Sequence, residues 1–190
     1  MIFTPLPAVA AWRLTGVHEG HEVVHTAANG TVTLDGSTVG VEAGAAWSIR
    51  YQLEIDPDWR VRTATATAPG LEIVLESDGA GGWRLNGLAR PDLDGCLDVD
   101  FEASAVTNTV PVHRLALAPG GQGVSSAVYV RSAGLAVERL EQTYRRLPDE
   151  GGALLFDYEA PRFGYRDILR FAPDGLVLRY PEIAERIALR

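Results

Sequence analysis

The sequence predicts an all-β protein, and three observations carry that expectation. Apolar and polar residues alternate with period two in run after run. Turn signals rich in Gly, Pro, Asn and Asp recur about every 8–12 residues, the spacing of a sandwich or barrel. Neither a linker nor a shift in composition divides the chain, so residues 1–190 read as one domain. At 190 residues, 46% hydrophobic and 22% charged, the chain can bury its own core without a metal or disulfide staple.

The elements follow in order. Residues 8–17 are apolar around Trp12. Residues 21–28 end at Asn29-Gly30, a tight-hairpin signal, and residues 31–34 meet a second one at Asp35-Gly36 before residues 37–42. Trp47, Ile49, Tyr51, Leu53 and Ile55 alternate with Ser48, Arg50, Gln52 and Glu54, a half-buried strand. Asp56-Pro57-Asp58 turns the chain, and residues 59–68, 71–77 and 83–89 continue the pattern between Pro69-Gly70 and the glycine-rich loop at 78–82. In residues 96–103, Leu97, Val99 and Phe101 face one way, and Cys96, Asp98, Asp100 and Glu102 face the other. Residues 104–109 form a polar connection, and strands are expected over 110–118, 124–132, 153–158, 165–172 and 176–180. Residues 135–147 have Leu140, Tyr144 and Leu147 at helical spacing, whereas their surroundings favour a strand. Residues 181–189, opening with proline, predict a short C-terminal helix.

Composition excludes several functions. The net charge is −8 and the pI near 5.0, which disfavours nucleic acid and anionic membrane as partners. All 17 basic residues are arginine, so no Schiff-base or phosphate-loop lysine exists. Cys96 is the single cysteine, which rules out an intrachain disulfide. The start lacks the basic and apolar regions of a signal peptide, and no apolar run approaches the roughly 20 residues of a transmembrane helix. A cytoplasmic protein is expected.

The Asp98–Asp100–Glu102 column is the sharpest chemical constellation. Three carboxylates about 7 Å apart on one strand face need arginine, solvent or a cation. Arg60 and Arg62 share the i,i+2 spacing, and Arg114 follows the column. A cross-strand ladder, a polar ligand site inside a curved sheet and a divalent-metal site all fit, although no His or Asn stands near to complete a metal shell. His21 and His25, four apart on a strand, are too distant to share a metal. His18 belongs to the same stretch, and His113 reads as a satisfied core histidine. Cys96 reads as a small buried hydrophobe. Thr107-Asn108-Thr109 either binds a sugar-like ligand or closes its own turn. Trp12, Trp47, Trp59 and Trp83, with Tyr158, Phe163, Tyr165 and Tyr180, suit either core packing or an apolar pocket with polar tips.

Residues 95–101 (GCLDVDF) and 107–115 (TNTVPVHRL) resemble the GCxDVDL…TNTLPIRRL signature of the "putative glycolipid-binding" family of bacterial proteins. Arg50-Tyr51, Asp56 and Trp59-Arg60-Val61-Arg62 resemble its RY…D..WRTR segment, and Gly82-Trp83 with Asn86-Gly87 its GxW…NG piece. Gln142, Tyr144, Asp157-Tyr158-Glu159, Phe163, Asp174-Gly175 and Tyr180-Pro181 resemble its C-terminal part. The order is kept over almost the whole chain. Ala105 and His113 depart from the usual Pro and Arg, and Ala184 stands near a usual Trp. The resemblance implies a strongly curved antiparallel sheet, a β-roll or open barrel, in which residues 135–147 are a strand. It implies no established catalytic residues.

The expected function is therefore non-enzymatic binding of a lipid or glycolipid. Aromatic side chains would hold its apolar part, and an Arg62–Asp98–Asp100–Arg114 group with Asn108 would orient its head. The candidate ligand residues are Arg50, Tyr51, Trp59, Arg62, Trp83, Asp98, Asp100, Asn108, Arg114 and Tyr158. No cofactor or metal is expected. Two alternatives stay open: an acid/base enzyme using Asp98 or Asp100, and an interaction module that pairs two copies of the chain through a sheet face or edge.

Overall fold

The computed structural model describes residues 3–16, 19–102 and 104–188; the expectations for Val17, His18, Ala103 and Leu189 lie outside them. Among the described residues, fifteen strands form one open sheet. The first meander comprises β1 (Val9–Leu14), β2 (Glu19–Ala28), β3 (Val32–Glu42), β4 (Ala45–Ile55), β5 (Val61–Ala68), β6 (Leu71–Ser77), β7 (Trp83–Leu85) and β8 (Leu88–Ala89). The second comprises β9 (Asp98–Phe101), helix α1 (Thr109–Leu115), β10 (Gln122–Val130), β11 (Val137–Arg146), β12 (Leu154–Ala160), β13 (Tyr165–Phe171), β14 (Val177–Tyr180) and β15 (Ala184–Arg186). Each meander pairs neighbour to neighbour, and β1 against β15 joins them, leaving β8 and β9 at the two ends.

Alternation builds these strands as the sequence predicts. On β4, Ile49, Tyr51, Leu53 and Ile55 are buried while Ser48, Arg50, Gln52 and Glu54 are exposed. The sheet bends until its concave face meets itself. Tyr51 of β4 stacks on Phe101 of β9 with ring centroids 4.9 Å apart. The Val61 N–H on β5 donates to the Leu97 carbonyl beside β9 at 3.1 Å. Inside lies one core containing Trp12, Leu34, Leu53, Phe156 and Phe171. Two indole N–H groups in it are satisfied by backbone: Trp12 donates to the Val177 carbonyl and Trp83 to that of Cys96, each at 2.8 Å.

Three expectations need correction. Residues 109–115 are helix α1, not a strand. β9 runs parallel to β10, and a parallel pair needs a crossover, which the 3-10 turn Val106–Asn108 and α1 supply. Pro111 falls in the first helical turn, where its missing N–H costs nothing. Asp35-Gly36 lies within β3 and makes no hairpin; a Cβ at Gly36 would stand 2.0 Å from the Tyr51 ring, so the glycine clears a path for that side chain. The single α-helix among the described residues is α1, not a C-terminal one. After Tyr180, Pro181–Ile183 turn, and β15 fills the gap between β14 and β1, satisfying backbone groups that a helix would leave orphaned. Residues 135–147 hold strand β11, as the family resemblance implies. Leu140, Gln142, Tyr144 and Arg146 face inward with period two, a pattern disguised by two polar members.

Candidate functional site

The carboxylate column splits into three environments. Asp98, 1% exposed, accepts both arms of the Arg114 guanidinium fork, with Arg114 Nε at 2.9 Å, and also the Ser125 hydroxyl. Glu102 meets Arg131 at 3.4 Å and accepts the Ser132 N–H at 2.7 Å. Asp100, between them, has no arginine. Thr107 donates to its Oδ1 at 2.8 Å and Gln142 to its Oδ2 at 2.6 Å. Burial pushes the Asp100 carboxyl up to about 7; the two hydrogen bonds oppose that rise, and the charges of Asp98 and Glu102 add to it.

Asp100 opens onto a cavity of about 260 Å³ between β9 and the strands beyond it. Its wall carries the rings of Phe101, Tyr129, Tyr158, Phe163, Tyr165 and Tyr180. Parallel pairing sets Tyr129 directly beside Asp100, in register. Tyr158, Tyr165 and Tyr180 pack mutually at centroid distances of 5.5–6.1 Å. The Gln142 amide joins Asp100 to the Tyr158 hydroxyl, to which it donates at 2.8 Å. Burial holds the Tyr158 and Tyr180 hydroxyls well above their ordinary titration range, so they remain donors. Asn108 also lines the cavity, held by the Tyr144 hydroxyl, which donates to its Oδ1 at 2.7 Å. At the wall, the Arg131 guanidinium lies 5.5 Å from the Tyr129 ring and 5.6 Å from that of Phe163.

A second buried carboxyl supports the cavity from behind. Glu22, on the inward face of β2, accepts the Tyr51 and Ser104 hydroxyls and the Ala105 N–H at 2.8 Å. Burial raises its pKa against the pull of those donors. Ser104 lines the cavity, so this contact fixes one wall through the first meander.

The structure thus brings Asp100, Asn108 and Tyr158 together at the cavity. Buried Asp98 and half-buried Arg114 pair beside it. Tyr51 sits behind, tied to Glu22 and Ser104. The other candidates are elsewhere. Arg50 faces outward to Asp35 at 3.1 Å. Arg62 approaches Asp56 at 3.7 Å, and Arg60 donates to the Gly79 carbonyl at 3.2 Å, so neither joins the column. Trp59 stacks on His113 with centroids 3.7 Å apart, and Trp83 is buried on Cys96. His113 is a core histidine, bonded to the Asp174 carbonyl at 2.9 Å and pushed down to about 4 by burial. The buried Cys96 thiol is pushed up to about 11. Among the described residues, no group of three His, Cys, Asp or Glu side chains converges to hold a metal, and no helix is long and apolar enough to cross a membrane.

Glu22, Gln142, Tyr129, Arg131 and Ser104 did not emerge from sequence reasoning as site residues. A signal existed for two of them: Glu22 is in phase with buried Val24 on β2, and Gln142 with Tyr144 on β11.

The chain matches the model of the family described as "Putative glycolipid-binding" over residues 9–186. It also resembles the crystal structure of a DUF1089 family protein from Pseudomonas aeruginosa, with 27% sequence identity, a TM-score of 0.76, and 98% of this chain and 100% of the other covered. No curated protein matches it. A match spanning nearly every strand, from β1 to β15, makes the chain a member of the putative glycolipid-binding family.

Proposed function

We propose that this protein binds a lipid or glycolipid, without chemical conversion, in the cavity beside Asp100, and that it does so in the cytoplasm. One observation carries the reading: six aromatic rings surround a carboxyl that neutral donors hold and no arginine satisfies. Rings supply apolar contact area, and the Asp100–Gln142–Tyr158 chain supplies the few directional polar groups that orient a ligand. Asp98 and Arg114 serve as the brace for β9, since a fork-paired carboxylate has little left to offer a ligand. The family name is consistent with this reading.

The test is mass analysis of organic extracts, and native mass spectrometry, on protein purified from its own cells without detergent. A co-purifying lipid is expected, and Phe163→Ala, which removes the exposed ring at the cavity rim, should reduce it. Wild-type protein that is wholly apo under these conditions overturns the reading.

One observation favours a second reading. A carboxyl poised near neutrality in a cavity is suited to proton transfer, so Asp100 is the candidate general acid/base if a reaction occurs. Asp98, committed to Arg114, is not. Turnover of a bound glycolipid that Asp100→Asn abolishes would select this reading.

A further inference from the structure

Resting on that binding reading, we propose that the cavity receives the uncharged, hydroxyl-bearing ring of a headgroup, a single sugar ring, and refuses anionic headgroups, with the acyl portion left outside. Three features argue for it. The first is size. A volume of about 260 Å³ lies below the roughly 300–1,000 Å³ of pockets that engulf a whole drug-sized ligand. It suits one ring and leaves no room for a pair of acyl chains. The rim ring of Phe163, 43% exposed, offers a footing for the first methylenes beyond the head.

The second feature is charge. Glu102 and Glu182 line the cavity against one guanidinium, that of Arg131. Glu102 and Glu138 already hold that guanidinium, at 3.4 and 3.0 Å. A phosphate or sulfate entering here would meet like charge and no uncommitted cation, at full desolvation cost. The third is hydrogen-bond chemistry. Tyrosine hydroxyls, the Asn108 amide and a carboxyl that keeps its proton near neutrality present both donors and acceptors. A polyol needs both, whereas an anion needs donors alone.

Saturation-transfer NMR tests this with two amphiphiles of equal tail, octyl β-glucoside and octyl phosphate, added below micellar concentration to the full chain. The strongest saturation is expected on the sugar-ring protons, with octyl phosphate bound about tenfold or more weakly than the glucoside. Glu102→Gln, which removes one of the two carboxylates holding Arg131, should raise octyl phosphate affinity relative to that for the glucoside. Glu182→Gln, on the exposed rim, should shift the ratio in the same direction. Saturation centred on the tail protons, or equal affinity for the phosphate, overturns the inference while lipid binding stands. Failure of both amphiphiles and of a total lipid extract to bind overturns the underlying reading, and the inference with it.

Discussion

Asp98 and Asp100 lie two residues apart on one face of one strand, yet they live in opposite chemical worlds. Around Asp98 the protein closes the account: Arg114 caps both carboxylate oxygens, Ser125 adds a third donor, and the side chain is 1% exposed. Around Asp100 only uncharged donors approach, and beyond them is a cavity rather than a wall. The difference arises from what β9 faces. Arg114, on the crossover helix, reaches Asp98 but not Asp100, whose cross-strand neighbour is the ring of Tyr129. One position serves to anchor an edge strand; the other keeps a polar group available. Alternation alone assigns both to the same face and says nothing of this division.

The largest expected effect sharpens that contrast. Asp98→Ala strands a largely shielded arginine and should cost about 3 kcal/mol in denaturant unfolding. A cost as small as that of Asp100→Asn would erase the distinction. Glu22→Ala should come next, at about 1–3 kcal/mol, because it orphans the Tyr51 and Ser104 hydroxyls and the Ala105 N–H. Glu22→Gln, which keeps an acceptor, should recover most of it.

Asp100→Asn should show itself as a change of pH slope. The native carboxyl holds its proton up to about 7, whereas the unfolded one releases it near 4. Its contribution is therefore fully present below pH 4 and is lost as pH rises to 7. By pH 8 the Asn variant should gain on wild type by on the order of 1 kcal/mol, since Asp100 is only half-buried and solvent screening discounts the full shift. His113 pulls the other way across the same window. Its native pKa is pushed down to about 4, so the stability it lends is present above pH 6.5 and fades as pH falls. Thermal melts of His113→Gln between pH 4 and 7 should be flatter than those of wild type, whatever the variant's absolute stability. The smallest effect belongs to the solvent face. Arg166→Ala leaves Asp157 paired to Arg145 and should barely change stability, with no difference left in high salt.

Much of this architecture is legible in the residues, and the exceptions have physical causes. The Trp47–Ile55 alternation reads directly as β4 because its inward members are all apolar. β11 reads as a helix in isolation because Gln142 and Arg146, both buried, stand where apolar residues would reveal the period. Helix α1 hides in an apolar run that suits a strand equally well; only the parallel pairing of β9 demands it. The carboxylate column locates Asp100, and the aromatic count in the C-terminal third locates Tyr158. The split of the column stays invisible, because it depends on which arginine the crossover delivers. Glu22 is silent for a related reason: its partners Tyr51 and Ser104 lie 29 and 82 positions away.

The seam between β1 and β15 makes closure of the sheet a long-range event. Trp12 and Val177, 165 positions apart, must meet before the two meanders become one sheet. Until then the free flank of β1 is an open template for another chain, and closing so long a loop is slow.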